Sequence, residues 1–265
     1  MNRKAKTRVL LCAGPEELAL TAAHEFVRLA LDAIGSEGRF AVALSGGSTP
    51  KATFSLLAGP PFVSKIPWDR IYIFWSDERT VPPGHPDSNY RMANESLISR
   101  VPIPSGNVHR MLGENDPDKA AEAYSSELES FFGLGLPRFD LVMLGMGDEG
   151  HTASLFPYTE ALKESRRSVV SNYVPKLATN RLTFSAPAIN SARNVTFLIA
   201  GAAKASALKE VIEGAPNAGL YPSQLIDPQD GTLTWMLDRA AAARLDVVST
   251  ALKDGVSGAP VEIWV

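Results

Sequence analysis

Short apolar runs recur along this chain, each followed by glycine or polar residues and then by a stretch with helical periodicity. Residues 9–12 precede an amphipathic stretch over 15–34, and residues 40–44 lead through a glycine loop into a helical segment over 51–57. Residues 70–75 are followed by charged residues and then a helical pattern over 88–99. A helix over 118–132 precedes an apolar run over 139–144, and a run over 195–200 precedes a helix over 203–213. Strands that alternate with helices form βαβ units and a mostly parallel sheet. The expectation is one α/β domain over residues 1–265 with helices on both faces of the sheet. Proline-rich stretches such as residues 81–86 are too short to separate domains.

Composition narrows the partners. A formal net charge of −3 gives no global basic footprint for nucleic acid. The single cysteine, Cys12, cannot make an internal disulfide, and no Cys/His cluster points to a metal. No apolar run reaches the roughly 20 residues of a membrane helix. Arg3, Lys4, Lys6 and Arg8 open the chain, but the apolar stretch after them ends at Gly14-Pro15, too soon for a signal peptide. Residues 1–8 therefore read as a solvated, flexible basic tail. A cytoplasmic protein that handles a small molecule is expected, without nucleic acid or membrane, as a monomer or small homo-oligomer.

In an open α/β sheet the ligand lies beyond the carboxyl ends of the strands, so the polar residues after each apolar run are the candidates. After the second run comes Ser45-Gly46-Gly47-Ser48-Thr49-Pro50. Thr49 reads as an N-cap and Pro50 as the first helical residue. Glycines ahead of a helix N-terminus present free N–H groups to an anion such as phosphate. The Gly-Lys-Ser/Thr ending of a nucleotide-binding P-loop is missing.

Asp77-Glu78-Arg79 follow the third run, and charges there are buried only if paired. Arg79 can meet a substrate anion or a developing oxyanion, with Asp77 orienting a neighbour. Residues 145–150 match the spacing of a dinucleotide fingerprint, yet Asp148 and Glu149 would face the pyrophosphate, so that reading is rejected. His151 closes the loop. An unperturbed pKa of about 6.5 suits a general base, and Glu149 is near enough in sequence to orient its ring. His24, His85 and His109 lie in an amphipathic helix, a proline loop and a strand-like segment. Lys204 falls in the first turn of a helix, where the macrodipole disfavours a cation unless an anion intervenes. Arg181 is a second cation for that same anion.

Taken in order, these segments resemble the 6-phosphogluconolactonase family across nearly the whole chain. The matching text is residues 43–50, 75–82, 85–90, 145–157 and 181–183, through to Lys204. The resemblance implies a Rossmann-like open sheet, the fold shared with glucosamine-6-phosphate deaminase and ribose-5-phosphate isomerase. It implies hydrolysis of 6-phosphoglucono-δ-lactone, a sugar-phosphate lactone, to 6-phosphogluconate in the pentose phosphate pathway, with no cofactor and no metal. The family's catalytic histidine falls on His151, its substrate arginine on Arg79 and its glycine loop on Gly46-Gly47-Ser48. The family's usual Asp-Gly-His is here Glu149-Gly150-His151, and the end of the chain, residues 261–265, matches no motif of the family. Two rival readings are a sugar-phosphate isomerase or deaminase using Asp77 as base, and a non-enzymatic sugar-phosphate sensor. The sensor reading expects an appended DNA-binding segment.

Overall fold

The computed structural model describes residues 6–253 and 260–264. In chain order the main elements are β1 (Lys6–Cys12), α1 (Pro15–Glu37), β2 (Phe40–Leu44), α2 (Ser48–Leu57), β3 (Ile71–Trp75), β4 (Asp77–Arg79) and α3 (Asn89–Ser96). There follow α4 (Pro117–Phe132), β5 (Leu141–Leu144), β6 (Val169–Val174), β7 (Thr179–Phe184), α5 (Ala186–Asn190) and β8 (Asn194–Ile199). The chain continues with α6 (Ala205–Ile212), β9 (Thr232–Asp238), α7 (Asp246–Lys253) and β10 (Val261–Trp264).

Among the described residues the strands form a seven-stranded sheet, β10-β1-β9-β8-β5-β2-β3, and a three-stranded one, β4-β7-β6. The large sheet is parallel except for β10. Its central strands β2 and β5 are buried along their whole length, which is why they read as unbroken apolar runs. Connections from β1 to β2 and from β2 to β3 cross the sheet one way, and those from β3 to β5, β8 and β9 return the other way. Right-handed crossovers then put α1 and α2 on one face and the returning helices on the other.

Helix starts follow local chemistry. Pro15 opens α1 with Glu16 and Glu17 in its first turn, where carboxylates favour the positive end of the dipole. Asp116 caps α4 by accepting from Lys119 N at 3.1 Å, and Ser88 Oγ caps α3 by accepting from Arg91 N at 3.1 Å.

Several expectations need correction. Lys6, Thr7 and Arg8 belong to β1, paired with Thr232, Leu233 and Thr234, rather than to a tail; residues 1–5 lie outside the described residues. The terminal segment that matches no motif is β10, an antiparallel edge strand on β1 with alternating burial. α2 begins at Ser48 with Gly47 as its N-cap, one turn position ahead of the expected Thr49–Pro50 start. Lys204 sits in a 3₁₀ turn, Ala202–Lys204, and is the residue before α6 rather than inside its first turn.

The antiparallel sheet was not expected at all. It arises because Ser76 alone separates β3 from β4. Its N–H donates to Leu44 O of β2 at 2.8 Å, while its carbonyl accepts from Phe184 N of β7 at 2.7 Å. One residue thus turns the chain from the large sheet to the small one, so Asp77-Glu78-Arg79 form an edge strand and not a loop.

Candidate active site

β2 and β5 are neighbours, yet the chain leaves β2 towards β3 and leaves β5 in the opposite direction, towards β8. A crevice opens where adjacent strands send their connections apart. A cavity of about 310 Å³ lies there, of small-molecule size. Its walls are residues 45–50 after β2, residues 145–147 with His151 and Ala153 after β5, and residues 198–200 with Lys204 after β8. Asp77, Arg79 and Asn89 complete it. The structure therefore gathers Ser45, Gly46, Gly47, Ser48, Thr49, Asp77, Arg79, His151 and Lys204 in one place.

No side chain caps the start of α2, so the first N–H groups of that helix, those of Ser48 and Thr49, are donors open to an anion. Lys204 Nζ pairs with Asp148 Oδ1 at 2.6 Å, which ties the ammonium to the loop that carries His151.

His151 is held from three sides. Its ring stacks on Phe156 with centroids 4.0 Å apart and planes 21° from parallel. Its carbonyl accepts from Gly147 N at 2.8 Å, closing the loop under the side chain. Gly147 can only be glycine here, because a Cβ would overlap the imidazole at Nδ1 and Cε1. Glu149 Oε2 lies 3.3 Å from His151 Nδ1, at ion-pair distance though outside hydrogen-bond alignment. Glu149 Oε1 accepts from Lys176 Nζ at 3.0 Å. The histidine beside it, and then Lys176, hold the Glu149 carboxyl well below the usual carboxylate range despite partial burial. His151 Nε2 makes no hydrogen bond among the described residues and is left for the cavity.

The three charges of β4 have separate fates. Glu78 is buried and takes hydrogen bonds from the N–H groups of Arg79, Asn89 and Tyr90 and from Ser88 Oγ, at 2.7–3.0 Å. Burial still pushes its carboxyl up. It anchors the start of α3. Asp77, also buried, accepts from Ser154 Oγ at 2.8 Å and from Asn89 Nδ2 through its carbonyl at 2.9 Å. Arg79 donates through Nη1 to Asp87 O and reaches the cavity.

Arg181 is not where the sequence reading put it. It faces Arg79 across the β4–β7 pairing and is absent from the cavity wall that holds Lys204. Directly opposed residues of an antiparallel pair share a face, so two guanidiniums stand side by side. Burial, followed by the charge of Arg79, pushes the Arg181 guanidinium pKa down. Such a pair disfavours itself and favours any anion that comes between.

The other histidines have structural partners. His24 packs edge-on to Phe62, and His109 stacks on Phe74 at 4.4 Å and meets Glu127 at 2.7 Å. After His151 the chain enters an isolated bridge between Thr152 and Leu155 instead of a helix, so residues 145–150 lack the helix a dinucleotide fingerprint needs. Sequence reasoning did not single out Asn89, Phe156 or Lys176. Asn89 and Phe156 stand inside the quoted motifs, but only the folded chain shows what they touch.

Comparison with known proteins follows the same lines. The family described as glucosamine-6-phosphate isomerases/6-phosphogluconolactonase matches residues 13–235. A 6-phosphogluconolactonase of Nostoc sp. is 45% identical over 240 residues, covering 88% of this chain and 97% of that protein. The solved 6-phosphogluconolactonase of Trypanosoma cruzi superposes with a TM-score of 0.80 at 29% identity, covering 93% of this chain and 98% of that one. A monomeric glucosamine-6-phosphate deaminase shares the fold, with a TM-score of 0.74 at 23% identity over 89% of this chain and 99% of that one. On this match, which spans most of the chain, the protein belongs to the glucosamine-6-phosphate isomerase/6-phosphogluconolactonase family.

Proposed function

We propose that this chain hydrolyses 6-phosphoglucono-δ-lactone to 6-phosphogluconate, with His151 as the general base. The observation that carries the reading is the fixed imidazole at the switch-point cavity, its Nδ1 backed by Glu149 and its Nε2 free, beside Arg79 and Lys204. The relatives named above as 6-phosphogluconolactonases support the substrate.

A δ-lactone is an activated ester, so a base for water and a positive group for the tetrahedral oxyanion supply the chemistry. His151 Nε2 takes a proton from water as its oxygen bonds to the carbonyl carbon. The imidazolium that forms is stabilised by Glu149. The carbonyl oxygen takes up negative charge, and Arg79 stabilises it. As the carbonyl re-forms, the bond to the ring oxygen breaks and His151 returns the proton to that oxygen. The phosphate rests on the Ser48 and Thr49 N–H groups and on Lys204, away from the reacting carbon, and fixes the ring in place. Asp77, with both carboxylate and carbonyl engaged, acts as a positioning residue. The test is disappearance of the lactone with and without the protein, corrected for spontaneous hydrolysis. Rates equal to background, with ammonia released from glucosamine 6-phosphate instead, would replace this reading with the deaminase one.

Two outcomes follow for variants. Lys204→Ala removes a contact made equally to substrate and transition state, so KM should rise roughly tenfold with kcat within a few-fold of wild type. An unchanged KM would remove Lys204 from the phosphate site. Glu149→Gln keeps the shape and loses the charge that favours the imidazolium. The value of kcat should fall, by less than on loss of the base itself, and the rising limb of the pH–rate profile should move to lower pH. Full activity with an unmoved limb would leave Glu149 as a loop carboxylate with no part in catalysis.

A further inference from the structure

Asn89 is a buried residue on the cavity wall, and its amide is fixed in one orientation. Its Nδ2 lies 2.9 Å from Asp77 O and 3.3 Å from Asp77 Oδ1. Both are acceptors, so the amide nitrogen must face them. Asp77 is itself held by Ser154 Oγ, and the Asn89 backbone N–H is tied to Glu78 Oε1 at 2.7 Å. The Asn89 carbonyl oxygen is thereby aimed the other way, onto the space where a Cβ of Gly46 would be, and a side chain at 46 would overlap it. Among the described residues nothing donates to this oxygen. Ser45 Oγ, on the residue before Gly46 and on the same cavity wall, is also buried without a partner. Polar atoms left unpaired in a packed wall call for a ligand group that pairs them.

We infer that Asn89 Oδ1 is a specificity-determining acceptor that takes a hydrogen bond from one ring hydroxyl of the substrate, an inference that rests on the lactonase reading. The chemistry of the ligand leaves few choices. A side-chain amide oxygen only accepts. The lactone carbonyl and ring oxygen have no proton to give, and a phosphate monoester near neutral pH is close to a dianion that this oxygen repels. The hydroxyls at C2, C3 and C4 are the groups that donate. Asn89 therefore holds the hydroxyl-bearing edge of the ring against Gly46 and keeps the phosphate off it, towards the start of α2 and Lys204. Gly46 is glycine so that this oxygen can stand on the wall.

The experiment compares kcat/KM of the wild type and Asn89→Ala on 6-phosphoglucono-δ-lactone and on its 2-, 3- and 4-deoxy analogues, with background hydrolysis subtracted. The wild type should lose roughly ten- to a hundredfold on one deoxy analogue, the scale of an unpaired buried acceptor. Asn89→Ala should lose a similar factor on the parent lactone and nothing further on that same analogue. A purely structural role would instead cost Asn89→Ala an equal factor on the parent and on all three analogues, and that result, or full activity on the parent, overturns the inference. Should Asn89→Ala fail to fold, Gly46→Ala displaces the same oxygen and should show the same coupling to the same hydroxyl; equal losses on all substrates again overturn it. A wild type inactive on every lactone would instead strike at the functional reading.

Discussion

Replacing His151 with alanine should lower kcat/KM for 6-phosphoglucono-δ-lactone by ~10²–10⁴-fold, the usual contribution of a general base. That corresponds to about 3–5 kcal/mol of lost transition-state stabilisation. The variant should fold, because the contacts that shape the loop are backbone ones: Gly147 N to His151 O at 2.8 Å and Gly150 N to Gly147 O at 3.0 Å. Only the stacking on Phe156 is lost. Background-corrected rates at saturating and limiting lactone, with a thermal melt alongside, separate loss of the base from loss of the protein. Activity within tenfold of wild type in a folded variant would remove His151 as the base.

Adding a single methyl at Gly147 should come close to that loss without touching any ionisable group. The Cβ of Gly147→Ala would overlap the imidazole at Nδ1 and Cε1, and the ring is backed on its other side by Phe156. The ring must leave its position, and a displacement of about 1 Å at a reacting group can cost on the order of 10²-fold. Position 147 lies outside the left-handed backbone region, so alanine meets no conformational penalty and the melt should stay near wild type. The expected signature is a fall in kcat with KM held within a few-fold, since the phosphate contacts lie elsewhere on the wall. A fully active Gly147→Ala would mean that the position of the ring held by this loop is not the catalytic one.

Both variants rest on residues that the sequence names without showing their contacts. The runs that became β2 and β5 were legible because strands buried on both faces must be apolar throughout, and the polar residues at their ends then stand out. The glycine loop, Arg79, His151 and Lys204 were found this way. The antiparallel sheet was not. β4 is three charged residues, Asp77-Glu78-Arg79, with no apolar period to betray a strand, and its pairing depends on β7 roughly a hundred residues away. That missed sheet explains the misplacement of Arg181. Once Arg181 is in register with Arg79, it cannot be the near neighbour of Lys204 that its position in the chain had implied.

What the sequence determined by itself was the class of fold, the family and the ordered list of strand ends that meet a ligand. Periodicity and turn chemistry are local, and motif text survives without coordinates. What the tertiary structure decided was the pairing. It showed which acceptor Asn89 Nδ2 turns to, that Glu149 stands at Nδ1 and not Nε2, and that Lys204 reaches Asp148. Each of these joins atoms whose separation is set by strand order and loop closure. A sheet that places β2 beside β5 and β5 beside β8 fixes those distances in space, and no local signal in the chain carries them.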